Sequence, residues 1–261
     1  MVNQHAGTFT ATLITLFQKG VRYSTVFDLG CADGQFFLTH YSMGLFPDAV
    51  CVNVDANALY EDSLRSIQEA VGGYYLIAAI TDKVGEAEMN VSAHHYWASL
   101  LPDNDPYWTR LHDMRGEKIK VPTMTLDAVV EQFNLKPPFL IKLDLQGFEV
   151  AALRGASKVL SQTDAIICET AIDEFSPINE LLTKSGLGLF DLTMLNRFAD
   201  DSLGWFYPVY LNYRLDHIKQ VLPWDRSHND KVIKIQVARR NQILANNAHM
   251  ISELRAQRSR A

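Results

Sequence analysis

Apolar and polar positions along this chain repeat with two periods, and the switches between them mark the elements. Residues 8–19 place Phe9, Leu13, Leu16 and Phe17 on one helical face. Val26-Phe27 then forms a short first strand, and a helix over 35–41 closes near Gly44. The β-branched run 49–54 is a second strand ending at Asp55, and 59–71 reads as a helix stopped by Gly72-Gly73. Residues 74–80 read as a single third strand. Strands alternating with helices through short connections predict a parallel sheet with helices on both faces.

After a turn at 81–86 and a short strand at 87–91, the pattern dissolves. Residues 92–117 are rich in His, Trp, Tyr, Asp and Pro, and so long an irregular segment is either functional or mobile. Periodicity returns with a helix over 126–133 capped by Thr125, a fourth strand over 139–143 and a helix over 150–160. A fifth strand over 165–168 ends at Glu169, and a helix over 177–184 leads to Gly186-Leu187-Gly188. Residues 190–195 and 206–212 predict an antiparallel edge, and 231–258 a terminal helix with a sparse apolar face. The expected fold is α/β: a doubly wound, mainly parallel, seven-stranded Rossmann-like sheet with an antiparallel closing hairpin. Residues 1–222 form its domain, and 223–261 a helical C-terminal extension.

Composition narrows the function. With 261 residues, 48% hydrophobic and 21% charged, the chain has ample length for a sizeable core. A net charge of -6 argues against a broad nucleic-acid-binding surface, although the segment from Lys231 onward is locally basic. Cys31, Cys51 and Cys168 lie in or beside apolar runs without ligand spacing, which predicts buried free thiols in a reducing compartment. The first twenty residues lack a signal-peptide pattern, and no run approaches the roughly 20 apolar residues of a membrane span. A cytoplasmic protein is the expectation.

Two strand-end motifs carry the chemistry. The first, Asp28-Leu29-Gly30-Cys31-Ala32-Asp33-Gly34, follows a strand and opens a helix. Its glycines allow a tight turn and close ligand approach, but their spacing is not that of the dinucleotide fingerprint. A carboxylate at this strand end repels a pyrophosphate and suits an ammonium. S-adenosylmethionine carries an ammonium and a sulfonium and has no phosphate. Asp55, at the second strand end, can accept ribose hydroxyls, and small apolar Ala78-Ala79-Ile80 suits an adenine face. Gly30, Cys31, Ala32, Asp33, Gly34, Asp55, Ala56 and Ala79, with Asp28, are therefore the candidate cofactor residues. Taken singly, Asp28 or Asp55 could equally be a cap or turn residue.

The second motif is Lys142-Leu143-Asp144-Leu145-Gln146-Gly147-Phe148-Glu149, continuing to Leu153-Arg154-Gly155-Ala156. Together with the first motif and Thr125-Leu126-Asp127, it resembles the FkbM family of S-adenosylmethionine-dependent methyltransferases. The resemblance covers 26–169 and continues weakly to about 216. It implies a methyltransferase sheet and O-methylation of a hydroxyl on a sugar, glycan or secondary metabolite. Gln146 stands where many members have Glu, and Asn53-Val54-Asp55-Ala56 replaces the more usual Glu-Pro-Asn.

A hydroxyl is a poor nucleophile until its proton leaves, so a base or a metal is needed. Asp144 ends the fourth strand and Glu169 the fifth, so the two could share a proton or hold a divalent cation. Capping of the following segments is the simpler account of both. Lys142, inside an apolar strand, needs a partner; Asp144 and Glu149 are candidates, with orientation of a substrate oxygen as the functional alternative. Gly147 predicts a positive φ. His94-His95-Tyr96-Trp97, Ser99, Tyr107-Trp108 and His112 crowd the middle loop, and His95 is a candidate base beside a small-molecule or glycan acceptor. The competing readings are a silent binding module, with oligomerisation through the C-terminal helix, and a nicotinamide-dependent oxidoreductase, which the glycine spacing disfavours.

Overall fold

The computed structural model describes residues 7–91, 98–102, 117–218, 234–235 and 237–242. Strands β1 (Thr25–Leu29), β2 (Val50–Asp55), β3 (Tyr74–Ile77), β4 (Ala79–Ile80), β5 (Gly85–Val91), β6 (Ala98–Ser99), β7 (Glu117–Met124), β8 (Phe139–Leu143), β9 (Thr163–Cys168), β10 (Thr170–Ala171), β11 (Leu187–Thr193) and β12 (Trp205–Asn212) fall into two sheets. The large one runs β3-β2-β1-β8-β9-β12-β11, and β10 pairs with the start of β12. From β3 to β9 the strands are parallel; β12 is antiparallel to both β9 and β11. The parallel sheet and its antiparallel closing hairpin are as expected.

Every residue of β1, β8 and β9 is buried. Strands covered on both faces need apolar side chains at nearly every position, which is why they read as continuous runs. Helices α1 (Phe9–Gln18), α2 (Gln35–Ser42), α3 (Glu61–Val71), α4 (Leu126–Phe133), α5 (Glu149–Arg154), α6 (Ser157–Leu160) and α7 (Phe175–Lys184) accompany the sheet. Thr8 and Thr125 cap α1 and α4, their hydroxyls accepting from Ala11 N–H at 3.2 Å and Ala128 N–H at 3.1 Å. The core joins Phe27, Val52, Ile141 and Ile166 of the sheet to Val129, Leu153 and Leu182 of the helices. Full burial of each such side chain contributes about 1.5–3 kcal/mol.

Three elements depart from the sequence expectation. The third strand splits at Ala78: Tyr74–Ile77 pairs with β2, whereas Ala79–Ile80 leaves the large sheet and pairs with β7. That second sheet, ordered β4-β7-β5-β6, includes Glu117–Met124, which the sequence reading did not assign as a strand. Its alternation is carried by Ile119, Val121 and Thr123 between lysines and Pro122, too few apolar positions to stand out. The helix expected over 150–160 breaks into α5 and α6 at Gly155, which packs so closely that a Cβ there would lie 2.1 Å from the Thr81 carbonyl oxygen.

The chain divides into two compact units, Met1–Asp216 and His217–Ala261. In the second, residues 234–235 and 237–242 are helical. Among the described residues no helix is long and apolar enough to cross a membrane.

Candidate active site

The carboxyl ends of β1, β2, β8 and β9 frame a cavity of about 270 Å³. Such crevices are where open α/β sheets bind ligands. Gly30 shapes its floor: with φ 68°, it lies so close to β8 that a Cβ would come 1.8 Å from the Asp144 carbonyl oxygen. Only glycine permits this approach.

One side of the cavity is built from Ala32, Asp55, Ala56, Tyr60, Ala79 and Ile80. Asp55 also braces the loop, accepting the Ala32 N–H through Oδ2 and the Asn57 N–H through Oδ1, both at 2.8 Å. Each of these oxygens keeps a second lone pair. Burial raises the pKa of Asp55, opposed by the two N–H bonds.

The opposite side holds two carboxyls. Gln146 Nε2 donates to Asp144 Oδ1 at 2.8 Å and to Glu169 Oε2 at 2.9 Å. The Tyr207 hydroxyl reaches Asp144 Oδ2 at 2.9 Å and Glu169 Oε1 at 3.2 Å. Burial alone would raise the pKa of Asp144. The Lys142 ammonium and hydrogen bonds from Glu169, Gln146 and Tyr207 outweigh it and hold Asp144 below the usual range. Glu169 moves the other way, raised first by burial and then by the charge of Asp144. The two carboxyls are thus pushed apart, Asp144 toward its charged form and Glu169 toward its protonated form.

A buried support lies beneath. Lys142 Nζ donates to the Gly30 carbonyl at 2.9 Å and sits 3.2 Å from Asp28 Oδ1 and 3.5 Å from Asp144 Oδ2. Register explains this: Asp28 and Lys142 are direct neighbours on β1 and β8. Glu149 accepts the Leu145 N–H at 2.6 Å and the Gly147 N–H at 3.0 Å, so it closes the loop after β8. Burial pushes its pKa up to about 8. Within that loop Gln146 and Gly147 take φ values of 52° and 93°, the second as expected. Ser99 of β6 donates to the Gln146 carbonyl at 2.7 Å and ties the small sheet to the loop.

The cavity wall brings together Gly30, Ala32, Asp55, Ala56, Ala79, Asp144 and Glu169 from the sequence candidates. Asp28 is corrected: it lies inside β1, fully buried, and faces Lys142 rather than the cavity. Cys31 is buried behind the wall in a cluster with Tyr60 and Leu64 and does not itself line the cavity. Asp33 is half-buried and does not line the cavity, and its carbonyl accepts from Ser63 at 3.0 Å. Gly34 starts α2 against Ile67. Lys142 lies under the floor and reaches Asp28 and Asp144, not Glu149. His95, with His94, Tyr96, Trp97, Tyr107, Trp108 and His112, lies outside the described residues. Tyr207 was missed, since nothing around it in the sequence distinguishes it from a sheet tyrosine.

The oxygens of Asp144 and Glu169 that a cation would use already face N–H and O–H donors. Among the described residues no group of three or more His, Cys, Asp or Glu is arranged to hold a metal.

Residues 48–191, more than half of the chain, match the methyltransferase FkbM domain. The chain belongs to the FkbM methyltransferase family. This FkbM domain spans β2 to β11 and includes the Asp144–Glu169 pair. Among solved structures, the chain is similar to methyltransferase FkbM from Methylobacillus flagellatus KT, at 11% identity and a TM-score of 0.46. That match covers 72% of this chain and 43% of the other, so the chain spans less than half of that protein's length. It is also similar to the precorrin-6y C5,15-methyltransferase from Geobacter metallireducens GS-15, with 10% identity, 80% and 90% coverage and a TM-score of 0.40. The plantazolicin methyltransferase BamL, solved with a triazolic desmethylPZN analog and SAH, matches at 10% identity, 78% and 82% coverage and a TM-score of 0.44. No curated protein matches the chain.

Proposed function

We propose that this FkbM methyltransferase moves the methyl group of S-adenosylmethionine to a hydroxyl oxygen on a small-molecule or glycan ring. One observation carries the reading: the Asp144–Glu169 pair shares a cavity with the Asp55 carboxylate and the Ala79-Ile80 face. The residues fit the cofactor. Asp55 has lone pairs for ribose hydroxyls, Tyr60, Ala79 and Ile80 offer an apolar slot for adenine, and Gly30 lines the cavity between them and Asp144. The cofactor supplies a methyl group on a positively charged sulfur.

With the cofactor bound, its methyl carbon would be the electrophile for the acceptor oxygen, and sulfur would keep the electron pair of the broken carbon–sulfur bond. The acceptor proton passes to Asp144. An alcohol becomes strongly acidic as its oxygen acquires the third bond, so a carboxylate of low pKa suffices as base. Gln146 and Tyr207 fix the orientation of Asp144, and Lys142 keeps it charged. Holding the acceptor oxygen close to the methyl carbon and in line with the sulfur would provide the remaining acceleration.

S-adenosylhomocysteine at 100 times its dissociation constant should stabilise the protein by about 2.7 kcal/mol. That corresponds to a rise in melting temperature of roughly 5–10 °C for a domain of this size. Asp144→Asn should keep this shift and lose labelled methyl transfer into metabolite and glycan extracts. A wild-type protein with no shift, and no calorimetric signal at millimolar ligand, would remove the cofactor; a fully active Asp144→Asn would remove the base.

A further inference from the structure

We infer that the acceptor carries its hydroxyl on an extended apolar ring system, laid along the aromatic rings of Tyr207, Trp205 and Phe198. The inference rests on the methyl-transfer reading and names its substrate class. Side chains alternate along β12. Phe206 is buried and packs against Phe175 of α7 at 5.5 Å between ring centres. Trp205 and Tyr207 therefore share the opposite face, where the Tyr207 ring meets Phe9 edge-on at 5.5 Å. The Tyr207 hydroxyl touches both members of the acid pair. Because β12 runs antiparallel to β9, its start and the turn before it lie at the same end of the sheet as Asp144 and Glu169.

The strip continues outward. Phe198 stands edge-on to Trp205 at 5.9 Å and is 39% exposed. Its ring rests on Gly204, where a Cβ would come within 3.1 Å of ring atoms. Leu195 and Met194, 52% and 37% exposed, flank it. Only Tyr207 of these rings lines the cavity, and the exposed apolar surface that continues from it through Trp205 is a candidate binding surface.

The polar groups of the same hairpin decide between an apolar ring and a glycan. Asn196 donates to the Met194 carbonyl at 2.7 Å, and Arg197 to the Asp201 carbonyl at 2.7 Å. Asp200 accepts from the N–H and hydroxyl of Ser202 at 3.0 and 2.6 Å. These contacts engage Asp200, the Asn196 amide nitrogen and one Arg197 nitrogen within the hairpin, so ring surface makes up the continuous part of the strip. Flat apolar rings suit offset or edge-on packing with such aromatics.

The test is calorimetric titration of the full chain, saturated with S-adenosylhomocysteine, using 2-naphthol and methyl α-glucopyranoside as probes. Binding of 2-naphthol, weakened tenfold or more in Phe198→Ala but retained in Trp205→Phe, supports the inference. The exposed Phe198 can be truncated without disturbing the core, and an unchanged cofactor-induced thermal shift in Phe198→Ala verifies this. No 2-naphthol binding, binding equal in wild type and Phe198→Ala, or glucoside binding lost in Phe198→Ala overturns it. So does a dimer in light scattering that Phe198→Ala dissolves, because a second copy would then cover the strip. Failure of the methyl-transfer reading is separate and shows as absence of the thermal shift in wild type.

Discussion

Replacing Lys142 by Met removes a buried ammonium from between two carboxylates. Its Nζ lies 3.2 Å from Asp28 and 3.5 Å from Asp144, with Asp28 wholly buried. Taking one member from a buried ion pair costs about 3–5 kcal/mol, because a charge is left uncompensated. That is a large part of the roughly 5–15 kcal/mol stabilising a whole domain. The cost depends on pH. Burial raises the pKa of Asp28, while the ammonium counteracts it. Without Lys142 the folded-state pKa rises further above the unfolded value of about 3.9. An acid shifted this way favours folding at low pH, and the advantage is lost as pH rises through the folded-state value. Lys142→Met should thus cost much less at pH 4 than at pH 7.5. Adding Asp28→Asn should recover much of the loss at pH 7.5, since replacing both members leaves no charge unpaired at Asp28. Urea unfolding of wild type, both single variants and the double variant, followed by circular dichroism at each pH, measures all of this. A loss below about 1 kcal/mol at pH 7.5, or a double variant as unstable as the sum of the singles, would refute the argument that Lys142 compensates buried charge.

Tyr207→Phe removes hydrogen bonds to a charged group that are together worth about 1.5–3 kcal/mol, so turnover should fall roughly 10–100-fold while the cofactor-induced thermal shift persists; comparing kcat with that shift checks it. Glu149, with its pKa at about 8, favours folding most at acid pH, and this contribution fades as pH rises toward that value. Glu149→Gln leaves a loop N–H facing an amide donor, at about 1–3 kcal/mol, so the variant should be the less stable at pH 6 with the gap narrowing by pH 9 in urea titrations. Gly30→Ala places a methyl group on the Asp144 carbonyl and should cost roughly 2–5 kcal/mol of stability together with the cofactor response; normal melting in this variant would contradict the pinch between β1 and β8.

The acid pair was legible because Asp144 and Glu169 each end an apolar strand, and parallel neighbours finish at the same edge. Thr125 was legible as a cap because capping is local. Asp28 was misplaced for a simple reason. An acidic residue before Leu-x-x-x-x-Gly looks like the end of a strand, yet β1 continues to Leu29 and buries the carboxylate. Its partner, Lys142, comes from register across strands more than a hundred residues apart in sequence. Tyr207 was invisible for the same reason: it reaches Asp144 from an antiparallel strand 63 residues later. The strand Glu117–Met124 escaped because lysines and Pro122 leave little apolar signal, and its pairing with β5 is decided by contact.

What the sequence determined by itself is the alternation of strands and helices in the parallel sheet and most residues at its cavity edge, since periodicity and burial on both faces act residue by residue along the chain. Only the tertiary structure decided which charges face one another. That Lys142 joins Asp28 to Asp144, and that Gln146 and Tyr207 tie Asp144 to Glu169, depends on strand register and on a positive-φ turn. Both place remote groups within about 3 Å, the range over which hydrogen bonds and buried ion pairs set protonation.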